Sequence, residues 1–221
     1  MPHKNLLMTN IKMLAVWLSR IRHCRGFGVQ SPSAYAFIRY VINEHYPYYA
    51  YDDLARRWPH IKGTRLKMCR LYLRLANWAQ ADRWMWCGTL PEAERTYVAH
   101  GCRHTAVDVQ RHCPTTQAHC PGATAHGAHG AHEGPCRVAV IAVGAPEAES
   151  RRHMQAFVHG IGEQPHDKAM LVIEGIGYDR VAKALWRTLV ADRRVSVSYD
   201  LYYCGIAFFD GRFKQNYIVN F

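Results

Sequence analysis

The spacing of apolar residues changes along this chain, and the change falls near residue 80. Across residues 4–23, Leu6, Leu7, Ile11, Leu14, Trp17, Leu18 and Ile21 recur at helical intervals, which predicts an amphipathic helix. The stretch "RGFGVQSPSAYAFIRYVI" follows. It supplies Gly26 and Gly28 for a turn, Ser31 as an N-cap and Pro32 at the first helical position. That helix is expected to run to about Asn43, with Pro47 marking the exit. A further helix is expected over about residues 66–80, with Leu71, Leu75 and Trp78 inward and its arginines outward.

From Arg83 the apolar residues come in short runs instead. "RWMWC" reads as a buried strand, "PEAERTYVAHG" as a helix ended by Gly101, and "HTAVDV" and "RVAVIAV" as strands. A helix over about 147–158, a strand "AMLVIEGI", a helix "DRVAKALWRTLV" and strands "VSVSYDL", "GIAFF" and "QNYIVNF" complete the series. Strands alternating with helices predict a parallel sheet with right-handed crossovers. The short turns between the last strands predict an antiparallel C-terminal edge. The fold class is therefore α/β: a Rossmann-like, doubly wound, mostly parallel sheet with an α-helical N-terminal cap. Residues 1–80 form the cap and 81–221 the α/β domain.

Composition narrows the picture. A chain of 221 residues with 49% hydrophobic and 12% aromatic content can bury a sizeable core. The longest apolar candidate, "LLMTNIKMLAVWLSRI", is broken by Asn10 and Lys12, so no membrane span is expected. No apolar block precedes a small-residue cleavage site, and the expectation is a cytoplasmic protein. The eight cysteines include no C-x-x-C pair, which favours reduced thiols over a disulfide framework.

The formal charge of +11 is unevenly distributed. Residues 1–75 carry 13 Lys and Arg against 3 Asp and Glu. This excess suits a solvated helical surface, or a site for an anionic or phosphorylated ligand. Nucleic acid is the less favoured partner, because the aromatics of "YPYYAYDDLARRW" stand at core-facing spacings. One segment, residues 112–136, is rich in Ala, Gly and His with a small A-H-G repeat. It reads as a loop. Its His and Cys spacing fits no zinc finger, and ordering so many glycines costs entropy, so adventitious metal binding is favoured over a built site.

Three stretches resemble the class I S-adenosylmethionine-dependent methyltransferases, nearest to a group of bacterial O-methyltransferase-like proteins. They are "GFGVQSPSAYAFIRYVI", "CGTLPEAERTYVA" with the following "AVDV", and "LVIEGIGYDRVAKALW" with "VSVSYDLYYCGIAFF". The resemblance covers nearly the whole chain and implies S-adenosylmethionine as cofactor and a small-molecule hydroxyl or amine as acceptor. It places cofactor binding at Gly88, Thr89, Asp108 and Gly144, with Asp108 as the ribose acid at the end of "HTAVD". The same resemblance makes Glu174 the candidate general base.

The site departs from the family pattern in four positions. Trp86 stands at a strand-end acid, Glu92 at a glycine, Val143 before the surviving Gly144 in place of an acid, and Gly175 in place of the second of two acids. No metal is expected, because one carboxylate is a poor site for Mg²⁺. Two readings follow: a methyltransferase that works by placing its acceptor, or an inactive relative serving as a binding or partner module. The apolar strand "YIVNF" offers an edge for a homodimer.

Overall fold

A computed structural model describes residues 14–23, 26, 28–44, 46–110, 136–163 and 168–221. Residues 112–135 of the His- and Gly-rich segment and the start of the first helix fall outside these residues. Among the described residues, seven strands form one sheet in the order β2-β1-β3-β4-β6-β5-β7. The strands are β1 (Arg83–Cys87), β2 (Ala106–Gln110), β3 (Val138–Ile141), β4 (Met170–Glu174), β5 (Val197–Asp200), β6 (Cys204–Phe208) and β7 (Gln215–Ile218). β1 pairs in parallel with β2 and β3, β3 with β4, and β5 with β7. The antiparallel element on the C-terminal side is β6, which runs against both β4 and β5.

Alternation along each central strand divides the core in two. Trp84, Trp86, Val138, Val140, Val172 and Ile206 face one side, where they meet Leu71, Tyr72 and Leu75. Those three belong to α3 (Gly63–Ala79), which follows α1 (Pro32–Phe37) and α2 (Ala50–Arg57). Met85, Cys87, Ala139, Ile141, Leu171 and Ile173 face the other side. There they are covered by α5 (Glu147–Glu163) and α6 (Arg180–Ala191). The N-terminal helices thus share their core with the sheet. Phe37 is a hub of this shared core, its ring 5.1 Å from Trp78, 5.0 Å from Tyr199 and 5.1 Å from Phe208.

α4 (Glu92–Gly101) packs against α3. Gly101 permits the closest approach: a Cβ there would lie 2.1 Å from the Leu73 carbonyl oxygen.

The helical region differs from expectation in three places. The helix begun by Pro32 is capped by Ser31 as expected, but after Phe37 it widens into a π-helical turn, Ile38–Ile42. α2 was not expected from the pattern. It buries only Tyr51 and Leu54, and its order is helped by Asp52 and Asp53 in the first turn and Arg56 and Arg57 in the last. The third concerns Arg74, expected outward, which is 5% exposed. Its guanidinium donates to the carbonyls of Val41 (2.6 Å) and Ile42 (2.9 Å) and to the Tyr51 hydroxyl (3.0 Å). It satisfies carbonyl oxygens that the π turn leaves open, which is why a cation is tolerated here.

Candidate cofactor site at the carboxyl ends of the strands

In an open parallel sheet the chain leaves a crevice where successive connections run to opposite sides, beyond the carboxyl ends of the strands. Here β1 lies between β2 and β3, so that point lies where β1 and β3 end. Two turns occupy it. The first contains Gly88, which follows β1 with φ +101°, a conformation that disfavours a side chain. The second contains Gly144, φ +79°, after β3, where an added Cβ would meet nothing within 4 Å. The turns touch: a Cβ on Gly88 would lie 3.0 Å from the Ala145 Cβ. Thr89 is exposed, and its carbonyl accepts the Trp86 indole N–H at 3.1 Å.

The departures from the expected pattern now have places. Trp86 is fully buried, its ring edge-on to Tyr72 at 5.2 Å. Glu92 opens α4 and turns outward to Arg57, 3.5 Å away. Gly175, φ +77°, lies under Val143: a Cβ there would come within 2.3 Å of the Val143 Cγ2. The glycine at 175 and the valine at 143 are therefore packing partners where the family pattern has acids.

Asp108 does not stand at the strand end. β2 continues to Gln110, whose carbonyl accepts from the Gly88 N–H at 3.5 Å. Asp108 lies two residues earlier, on the same sheet face as Arg83, and its Oδ2 is held by Arg83 at 2.7 Å and 3.2 Å. An incoming hydroxyl would meet Oδ1, or would displace Arg83. The Gly88 and Gly144 turns thus bring two left-handed glycines to the strand ends, while the carboxylate expected to hold a ribose is already engaged by Arg83.

Glu174 is also engaged. Its Oε1 accepts from the Tyr72 hydroxyl, and its Oε2 accepts from the Val143 backbone N–H at 3.0 Å. Burial raises its pKa above the ordinary carboxylate value, and the two hydrogen bonds partly offset that rise. A buried strand-end glutamate would ordinarily be paired with a cation such as an N-terminal arginine. The partner is instead an N-terminal tyrosine.

Along α3 the same side holds more buried polar groups. Arg65 binds Glu94 through two bonds of 2.9 and 3.1 Å, and Cys69 lies beside Glu94. Burial and then Glu94 push the Cys69 thiol up to about 12, so it is not a nucleophile at neutral pH. Cys204, opposite Glu174 in the ladder, is raised well above its ordinary value by burial. Among the described residues, no three His, Cys, Asp or Glu side chains converge as a metal site, and no helix is long and apolar enough to cross a membrane.

Of the sequence-predicted residues, the fold brings Gly88, Gly144 and Glu174 to one region at the carboxyl ends of β1, β3 and β4, linked through Ala145 and the Val143 amide, with exposed Thr89 beside it. Asp108 lies at its margin, facing Arg83. Sequence reasoning missed Tyr72 and Arg83. Arg83 had a signal: sliding "RWMWC" against "AVDVQ" in parallel register sets residues 83 and 108 diagonally on one face. The chain matches no protein-family model. A search of curated proteins likewise finds no match.

Proposed function

We propose that this chain is a class I methyltransferase-like protein of the O-methyltransferase-like group, and that its crevice takes an S-adenosyl ligand over the Gly88 turn. One observation carries the reading. The chain reverses strand order at β1, and the two side-chain-free, left-handed turns stand at that point, Gly88 and Gly144. When bound, S-adenosylmethionine supplies an electrophilic methyl group. The protein's part is to place a small hydroxyl or amine acceptor in line with it. Glu174 is poorly suited as a base for that acceptor while Tyr72 and the Val143 amide hold both its oxygens. The proposed setting is cytoplasmic.

Calorimetric titration with S-adenosylmethionine and S-adenosylhomocysteine tests the reading. The expected result is saturable binding that Asp108→Ala weakens by about 10- to 100-fold, the loss of one charge-assisted hydrogen bond. No binding at millimolar ligand would overturn it.

A second reading, an inactive methyltransferase-fold module, is favoured by the engagement of Asp108 with Arg83 and of Glu174 with Tyr72. It predicts no methyl transfer to any acceptor. Tight S-adenosylhomocysteine binding that depends on Asp108 would count against it.

A further inference from the structure

A cavity of about 290 Å³ lies away from the Gly88 turn, between the N-terminal segment and the carboxyl ends of β5 and β7. Its walls include Trp17, Tyr202, Tyr203 and Phe221, with Arg20 and Lys67 beside them. Several interactions build it. Arg20 donates to the Asp200 carbonyl (3.0 Å) and to Asp200 Oδ1 (2.7 Å), which docks the N-terminal segment on the strand ends. The Asn220 backbone N–H donates to the His23 carbonyl at 3.0 Å, and the Asn220 side chain to the Trp17 carbonyl at 3.3 Å.

Tyr202 is held at φ +69°, a left-handed conformation that costs a side-chain-bearing residue on the order of 1 kcal/mol. Its N–H is fixed by Asp200 Oδ1 at 2.9 Å, and its carbonyl accepts from the Gly177 N–H at 2.8 Å. The ring lies across Gly177, where a Cβ would come within 2.4 Å of it. Several independent contacts thus hold the Tyr202 ring in place at the cavity wall.

Arg20 is neutralised by Asp200. Lys67 makes no ion pair among the described residues, and its Nζ lies 5.7 Å from the centre of the Phe221 ring. Aromatic walls and a lysine without an ion pair among the described residues suit a flat, singly negative guest of one or two rings.

We propose that this cavity binds a planar aromatic monoanion, an aryl carboxylate, with its ring against the aromatic walls and its carboxylate on Lys67. This inference does not depend on the methyl-transfer reading, because no residue of the Gly88 turn takes part.

The test uses the full chain and two isosteric probes, 2-naphthoate and the neutral 2-naphthamide, titrated calorimetrically. Naphthoate is expected to bind saturably, about tenfold or more tighter than naphthamide, and to weaken with added salt. Lys67→Gln should bring naphthoate down to naphthamide's affinity, and Trp17→Ala should weaken both probes. Circular dichroism would establish that each variant is folded. Equal affinity for the two probes, no saturable binding at millimolar naphthoate, or a charge preference that survives Lys67→Gln would each overturn the proposal.

Discussion

On the side of the sheet covered by α3 and α4 the protein buries Arg74, Glu94 and the engaged carboxylate of Glu174. On the side covered by α5 and α6 it buries aliphatic strands around Ser150 and His153. The two sides also handle their polar groups differently. Each guanidinium nitrogen of Arg74 donates to the π turn or to Tyr51, and both oxygens of Glu174 accept, from Tyr72 of α3 and from the Val143 N–H. His153, 3% exposed on α5, leaves its Nε2 without a partner among the described residues. Both sides leave buried polar atoms without a partner among the described residues, Arg70 Nε and Trp84 Nε1 toward α3 and His153 Nε2 on α5, so what sets the α3 side apart is its long-range pairs to charged groups.

The largest expected effect breaks the α3 side. Arg74→Met removes the guanidinium that ties the π turn to α3 and leaves the Val41 and Ile42 carbonyls buried without it. Denaturant unfolding should show a loss of about 3–5 kcal/mol. An effect below about 1 kcal/mol would mean the carbonyls find other partners.

A second experiment sets the two sides against each other through pH. Burial pushes His153 down to about 4 from an ordinary 6.5, so the unfolded chain takes up a proton that the folded chain refuses. Stability from this group is full above 6.5 and falls as pH drops from about 6.5 to 4, by roughly 3 kcal/mol across the window. His153→Leu should flatten that acid limb. Glu174 works in the opposite sense. Its folded pKa is raised, so its contribution is full below the ordinary carboxylate value and is lost as pH rises through the folded value. Glu174→Gln should therefore remove a loss on the rising side and leave the acid limb of His153 intact. Stability measured from pH 4 to 8 in both variants checks the pair of signs.

The smallest effect sharpens the reading of the crevice. The Arg83–Asp108 pair is partly open to solvent, so Arg83→Ala should cost less than about 1 kcal/mol. If Arg83 restrains Asp108 from a ligand hydroxyl, the same variant should bind S-adenosylhomocysteine more tightly than the parent chain.

The layered sheet was legible because its central strands are apolar on both faces, and "RWMWC", "RVAVIAV" and "AMLVIEGI" show this without any partner in view. Gly88 was legible too, since a strand followed by glycine and then a helix leaves few alternatives. What stayed hidden was set by distant partners. An arginine amid the apolar residues of α3 reads as outward until the π turn that needs its guanidinium is placed beside it. Glu174 gave no sign of Tyr72, which is 102 residues earlier in the chain. Asp108 was read as a strand end, yet pairing of Cys87 with Gln110 carries β2 two residues further. The short α2 escaped because two buried side chains leave too little periodicity to notice.

The position of β6 has a consequence for how this protein is made. It inserts between β4 and β5 although it follows both in the chain, so β4 keeps an open backbone edge until residues 204–208 have emerged from the ribosome. A nascent polypeptide stalled before that point displays the strand "MLVIE" ready to join any passing sheet, the form most in need of a chaperone.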